Sequence, residues 1–363
     1  MYIVITCCIL ILIAVSFLNH PLFGKHPSGE RMKRIQKSPN FKDKEFQNLI
    51  PTPQLTEGYT MGKVMKEFLF GKKIDVKPNN PVPHQTIDFS NLDRSTDAYY
   101  WFGHSSYMLI LDQQIFLIDP VLTKNAAPVL HSNKAFAGTT FIDIAQLPTI
   151  DYLIITHDHY DHLDYTTIKK IRNKVKQVVC GLGVGSHFEH WNYKKEQIQE
   201  LDWWQELQLS KEIKITATPA RHFSGRTFFH KNNTLFCSYV LESTTKRIFI
   251  GGDSGYGPHF IEIGNKFAPF DLAFIENGQY NTAWHYIHLH PEELPNVISD
   301  LRLTKVVPVH HSKFALSNHP WKKPMNDAIM NRSETIEIQT PMIGQRVEID
   351  NNSNDWRSWW ESI

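Results

Sequence analysis

Cysteine is scarce in this chain, with four among 363 residues. Cys7 and Cys8 are adjacent in the first apolar run, and Cys180 and Cys237 stand alone in strand-like surroundings, so a disulfide framework is excluded and free buried thiols are expected. Cys7 and Cys8 also come too early, with too little apolar sequence before them, to serve as a lipoprotein acceptor. An excess of charge of one sign is missing as well: 38 Lys and Arg against 37 Asp and Glu leave a formal net charge of +1. Without a basic face or stripe, nucleic acid is not an expected partner. The glycine run Gly181-Leu182-Gly183-Val184-Gly185 lacks the Lys-Ser/Thr of a P-loop and fails the dinucleotide pattern at its third glycine position, so it reads as a turn.

The first residues lack charge altogether. Met1 to Leu18 reads MYIVITCCILILIAVSFL, at the short end of what can cross a bilayer core as a helix. A cleaved signal peptide would carry a basic start and a small-residue cleavage site, and neither is present. The segment therefore reads as an uncleaved membrane anchor, with an atypical secretion signal as the alternative. Lys25, Arg31, Lys33, Arg34 and Lys37 follow it and place the remainder of the chain on the cytoplasmic side.

What the chain has in quantity is histidine, nineteen in all. Three fall together in Thr156-His157-Asp158-His159-Tyr160-Asp161-His162, directly after the apolar run Leu153-Ile154-Ile155. Imidazole nitrogen with carboxylate oxygen is the donor set of zinc and its first-row neighbours, whereas calcium and magnesium sites are built from oxygen. His157 and His159, two apart on extended chain, project to one side and can share an ion. Asp161 and His162 follow the turn and can face a second. Crowding imidazoles without a common ligand is costly, which weighs against a merely polar loop.

Around that turn the pattern is mostly one of strands. Residues 19–98 are polar and interrupted by prolines, read as an N-terminal extension with short helices, one near Gly62 to Gly71, held on the core by Phe41, Phe46, Leu49, Ile50, Phe68, Leu69 and Phe70. Strand signals follow over Tyr99 to Phe102, Tyr107 to Leu111, Gln114 to Ile118, Asp151 to Ile155 and Gln177 to Cys180, with helical spacing over Tyr165 to Lys174. Arg247 to Ile250 is a buried strand leading to Gly251-Gly252-Asp253. The glycines permit close backbone approach there, so the Asp253 carboxylate is placed to bridge two cations. Lys305 to Val309 delivers His310 at a strand end as a further candidate ligand, with His311 facing the other way. Residues 99–350 are read as the domain carrying the site and 351–363 as a C-terminal tail.

The His157-x-His159-x-Asp161-His162 string after an apolar strand resembles the signature of the metallo-β-lactamase fold. That resemblance implies an α/β, four-layer αββα sandwich of two mixed sheets. It adds His222, in Pro219-Ala220-Arg221-His222, as the third histidine of the first ion, and Asp119 of Asp119-Pro120 as a support for the metal loop. The ligand set becomes His157, His159 and His222 for one ion, Asp161, His162 and His310 for the other, and Asp253 for both. Two divalent metal ions, zinc first among the candidates, would activate a bridging water for hydrolysis, with Asp161 and Asp253 as catalytic carboxylates.

Within the fold, Trp101-x-Gly103-His104-Ser105-Ser106, the histidine string, Gly252-Asp253-Ser254-Gly255-Tyr256, His288-x-x-Pro291-Glu292-Glu293 and His310-x-x-x-Phe314-Ala315-Leu316 look most like the N-acylphosphatidylethanolamine-hydrolysing phospholipase D family. The likeness runs from about Gly29 to Gly344. It implies a phosphodiesterase releasing N-acylethanolamine and phosphatidic acid from a membrane phospholipid, with Tyr160 and His288 near the substrate. His311-Ser312 departs from a more usual Trp-Gly. Two other readings remain: a sugar-phosphate lactonase of the same fold, and a non-catalytic metal-binding envelope protein.

Overall fold

The structure is a computed structural model that describes the chain apart from residues 1, 3–4, 7–8, 10–15, 129–131, 228–229 and 351–355. In the N-terminal part, α1 is Gly29–Ile35, a short hairpin pairs β1 (Phe41–Lys42) with β2 (Glu45–Phe46), and α2 is Met61–Phe70. The first half of the domain then lays down β3 (Ala98–Trp101), β4 (Tyr107–Leu111), β5 (Gln114–Ile118), β6 (Ile150–Ile155), α3 (Tyr165–Ile171), β7 (Val175–Gly181), α4 (Gly185–His190) and β8 (Ile198–Leu201). The second half follows with β9 (Glu206–Gln208), β10 (Lys214–Pro219), β11 (Cys237–Glu242), β12 (Arg247–Ile250), α5 (His259–Phe267), β13 (Leu272–Glu276), α6 (Leu294–Leu301), β14 (Lys305–Val309), α7 (Lys323–Ile329), β15 (Glu337–Ile338) and β16 (Arg346–Glu348).

These strands form two seven-stranded sheets, ordered β16-β3-β4-β5-β6-β7-β8 and β15-β14-β13-β12-β11-β10-β9. Each sheet is mixed in the same manner. Antiparallel pairing runs from β16 to β5 and from β9 to β12, and parallel pairing continues from β5 to β8 and from β12 to β15. Side chains alternate across each strand. Tyr99, Tyr107, Leu109 and Phe116 of one sheet meet Tyr239, Leu241, Ile248 and Phe274 of the other in a central core. Tyr107 stacks on Phe274 with ring centroids 3.9 Å apart. The opposite faces are covered by helices, Ile168 and Ile171 of α3 over Leu153 and Ile155, and Ile263 of α5 with Val297 of α6 over Phe249 and Ala273. The result is the expected αββα sandwich.

The strands came out close to the sequence reading, with β7 and β3 displaced by a residue or two at their ends. The glycine run at Gly181 turns the chain into α4, a helix of six residues that the strand-and-turn reading of this stretch passed over. Cys180 and Cys237 are free and buried. The N-terminal segment packs through Phe23, Ile35, Phe46 and Phe89. Of its expected anchors only Phe46 is buried, Phe41, Ile50 and Phe68 are half-buried, and Leu49, Leu69 and Phe70 are exposed.

The expected N-terminal membrane anchor is corrected here. Among the described residues no helix is long and apolar enough to cross a membrane. Eighteen residues make a helix of only about 27 Å, against a hydrocarbon core of about 30 Å. Most of residues 1–15 lies outside the described residues. The cytoplasmic placement inferred from the anchor falls with it.

Candidate metal centre

His157, His222, Asp253 and His310 lie at or near the carboxyl end of a strand, where open α/β sheets gather their ligands, and His159, Asp161 and His162 lie on the turn that follows β6. β6 is buried along its whole length between two parallel neighbours, as an unbroken apolar run in a parallel sheet requires. It releases the chain at Thr156. Asp164 then caps α3, its carboxylate accepting from the Thr166 and Thr167 amides, so the turn between strand and helix is pinned at both ends. β10 leads to His222, β12 to Asp253 and β14 to His310.

The four stretches converge. His159 Nδ1 lies 2.9 Å from His157 Nε2 and 3.2 Å from His222 Nε2. Asp161 Oδ2 lies 3.2 Å from His310 Nε2 and 3.6 Å from His162 Nε2. Asp253 Oδ2 stands between the two groups, 3.1 Å from His162 Nε2, 3.2 Å from His310 Nε2, 3.8 Å from His222 Nε2 and 3.9 Å from His157 Nε2. These residues fall into sets that could each hold an ion.

Whether an ion fits can be tested on the hydrogen bonds. Asp119 accepts from the Thr156 amide at 2.8 Å, from the Thr156 hydroxyl at 2.6 Å and from His162 Nδ1 at 2.8 Å. With its proton on Asp119, the Thr156 hydroxyl can only accept at its 3.0 Å contact with His157 Nδ1. His222 Nδ1 donates to the Ile287 carbonyl at 2.7 Å. These bonds assign the proton of each neutral ring to Nδ1, so the Nε2 atoms of His157 and His222 both present lone pairs to His159 Nδ1. One N–H there can satisfy only one of them. His159 Nε2 and Asp253 Oδ1 are also buried without a partner. A cation resolves this frustration, and nitrogen separations of 2.9 to 3.2 Å are close to the edge, about 3.3 Å, of a tetrahedron with zinc–nitrogen bonds. The donor set fits divalent first-row metals.

The electrostatics agree. Burial pushes the His157 and His222 imidazoles well below their usual range and His159 down to about 4, leaving them neutral. For His310 burial acts downward too, but Asp253, Asp161 and Glu276 outweigh it and push the ring up to about 10. His162 is likewise raised, against its burial, by Asp253, Asp161 and Asp119. Burial raises and the imidazoles lower the Asp161 and Asp253 carboxyls, and the imidazoles prevail. The negative potential that keeps two rings protonated is one a dication would neutralise.

Two members of the cluster were not singled out from the sequence. His104, in the left-handed backbone region at φ 56°, approaches Asp161 Oδ2 at 2.9 Å, and burial holds this ring near 3 and therefore neutral. Glu276, the last residue of β13, accepts from the Ser254 amide at 2.6 Å, lies 3.4 Å from His310 Nδ1 and pairs closely with His288 Nδ1. The predicted substrate residues separate. His288 lines a cavity of about 280 Å³ over the cluster, together with Leu55, Met61, Val64, Phe223 and Trp284. Tyr160 is not among the lining residues: its hydroxyl donates to the Arg226 carbonyl at 2.6 Å and its ring lies under the Arg226 guanidinium at 4.1 Å. His311 turns away from the cluster as expected, its Nε2 donating to the Pro308 carbonyl at 3.1 Å.

A two-sheet sandwich with this cluster at one edge defines a metal-dependent hydrolase of the metallo-β-lactamase superfamily, and the chain belongs to that family: residues 114–311 match the Beta-lactamase superfamily domain. It is 35% identical over 318 residues to an uncharacterized protein of Mycobacterium tuberculosis, covering 86% of this chain and 85% of that one. It is 28% identical over 309 residues to N-acyl-phosphatidylethanolamine-hydrolyzing phospholipase D 1 of Caenorhabditis elegans, covering 81% of this chain and 86% of that protein. A possible metal-dependent hydrolase from Veillonella parvula shares the fold with a TM-score of 0.55 at 15% identity, covering 70% of this chain and 99% of that one.

Proposed function

We propose that this hydrolase is a dinuclear phosphodiesterase of phospholipase D type, cleaving N-acylphosphatidylethanolamine to N-acylethanolamine and phosphatidic acid. The observation that carries this reading is the contrast inside one cavity: a floor of carboxylates and imidazoles under walls of Leu55, Met61, Val64, Phe223, Trp284, Ile287 and Leu316. A charged diester with apolar tails matches both surfaces, whereas a phosphorylated sugar lactone would leave the walls without a counterpart. The similarity to the worm phospholipase supports the same substrate class.

His157, His159 and His222 would hold one divalent ion, Asp161, His162 and His310 the other, and Asp253 both, with zinc as the first candidate. When bound, such a pair lowers the pKa of water and offsets charge developing on phosphate oxygens. The chain's own residues do the rest. His104 fixes the Asp161 carboxylate, and Glu276 fixes His288 through Nδ1, which leaves His288 Nε2 as the ring's remaining polar atom to meet a substrate oxygen. Water adds its oxygen to phosphorus, the bond from phosphorus to the ethanolamine oxygen breaks, and that oxygen leaves with a proton. The apolar walls exclude bulk water from the diester.

The test is turnover by purified, metal-analysed protein on N-acylphosphatidylethanolamine and on a phosphorylated lactone. Release of N-acylethanolamine, abolished by Asp253→Asn, is expected. Cleavage of the lactone alone would overturn the substrate assignment, and bound metal with no turnover of either compound would leave a metal-binding protein only.

A further inference from the structure

Helix α2 is an anomaly of packing. Its apolar residues Met61, Val64, Met65, Phe68 and Leu69 recur at the spacing of one helical face, yet none of its ten residues is buried. Val64 and Phe68 turn partly toward the protein, while Met61, Met65 and Leu69, each one turn from the next, are 54%, 51% and 59% exposed, and Phe70 beyond them 81%. Ile74, four residues past the helix, is 52% exposed. A contiguous apolar surface of this kind, rimmed by charge, marks an interaction face.

The rim is basic. Residues 61–77 contain Lys63, Lys66, Lys72, Lys73 and Lys77 against Glu67 and Asp75, a local net charge of +3 in a chain whose total is +1. Beside the helix, a groove of about 420 Å³ is lined by Phe68 together with Lys73, Lys77 and Lys134, and its described lining holds no acidic residue. The same helix also forms part of the candidate active-site wall, since Met61 and Val64 line the cavity over the metal cluster. Leu316 lines that cavity while its neighbours Ala315 and Ser317 line the basic groove. Mouth, apolar stripe and lysines are thus one continuous face.

We infer that this face seats the enzyme on an anionic lipid surface, the exposed stripe of α2 entering the acyl boundary and the lysine groove receiving headgroup phosphates. The chemistry is that of an interfacial amphipathic helix, which lies in the plane of the membrane and neither spans it nor anchors the chain. A second copy of the chain fits less well, because a two-fold contact through this patch would set its lysines against themselves. The inference deepens the lipid-hydrolase reading and rests on it. A substrate embedded in the same surface would reach the metal cluster without leaving the lipid phase.

The test is cosedimentation of the full chain with vesicles of phosphatidylcholine alone and of equimolar phosphatidylcholine and phosphatidylglycerol. Wild-type protein sediments with the anionic vesicles, and raising salt to about 0.5 M weakens this, since the screening length falls to a few ångströms. Met65→Glu with Leu69→Glu lowers partitioning by at least about tenfold, because two carboxylates cannot enter the acyl boundary. Lys73→Glu with Lys77→Glu and Lys134→Glu removes the preference for anionic vesicles. All these side chains lie outside the cavity lining, so the variants keep metal content and unfolding temperature. Variants that sediment like the wild type would overturn the inference. So would a dimer in sedimentation equilibrium that Met65→Glu with Leu69→Glu abolishes, without vesicle binding. Sedimentation is scored without turnover, so failure of the two readings is distinguishable: protein that binds vesicles but cleaves no phosphodiester keeps the face and loses the substrate. Protein that hydrolyses a dispersed short-chain phospholipid but never sediments keeps the chemistry and loses the face.

Discussion

Asp119 touches none of the candidate ions, yet it sets the lone pairs that would bind them. Through Thr156 and His162 it fixes two rings at once. Asp119→Asn would replace one accepting oxygen by a donor, and a loss of metal affinity of about 10- to 100-fold is expected, read by competition with a chromogenic chelator while circular dichroism stays unchanged. The protonation of His162 and His310 gives a second expectation. Each ring must release a proton before its Nε2 can ligate, so ion affinity should rise with pH, by up to about tenfold per unit for each proton displaced. For His310 the rise should continue until about pH 10, where the ion-free ring titrates. Titration calorimetry across pH and in buffers of different ionisation enthalpy measures this, and affinity falling between pH 7 and 9 would contradict it. At this scale the sequence was legible where ligands cluster in one string or end a strand. His104 stands in a motif already quoted and Glu276 ends an apolar strand, but each comes singly among non-ligating neighbours, so only the fold shows that they face the cluster. Tyr160 sits inside the string, but sequence spacing says nothing of which way its ring turns after the strand, and Arg226 draws it aside.

The elements were legible wherever burial on both faces left an apolar run, as in β6 and β14, and less so where short polar segments are held by distant partners. His222 is an example of the second kind. Its amide donates to Asn48 Oδ1 at 3.0 Å and its carbonyl accepts from Asn48 Nδ2 at 2.8 Å, so one side-chain amide of the N-terminal segment holds this backbone, a contact that no periodicity announces. The turn after β12 shows how tightly the ligand-bearing ends are packed. Gly252 has φ 61°, and a β-carbon there would stand 2.9 Å from Thr156 Cβ, the residue before His157. Gly252→Ala should cost about 1–3 kcal/mol of stability through backbone strain alone and displace Asp253 from His157. A lowered unfolding temperature together with reduced metal content would show this. Wild-type metal stoichiometry would mean that the turn tolerates the side chain.

For the molecule as a whole, the cluster concentrates unsatisfied polar atoms in an otherwise well-packed seam, so ion binding and folding are coupled. A metal present at about one hundred times its dissociation constant stabilises the folded state by about 2.7 kcal/mol, and removing it should lower the unfolding temperature by about 3–4 °C in a chain of this size. Differential scanning calorimetry with and without chelator tests the shift, and identical transitions would mean that the cluster binds nothing firmly. The αββα architecture was legible through the family signature rather than from periodicity, which reports strands but not their order. The way each sheet passes from antiparallel to parallel pairing has a mechanical corollary. His157 and His159 come from the first half of the chain and His222 from the second, as do Asp161 and His162 against His310. An ion held by these residues would be a rivet through two plates, and its removal would free one plate to slide on the other. Amide protons at the ends of β6 and β14 would exchange sooner in chelated protein, while those on the helix-covered outer faces would keep their protection.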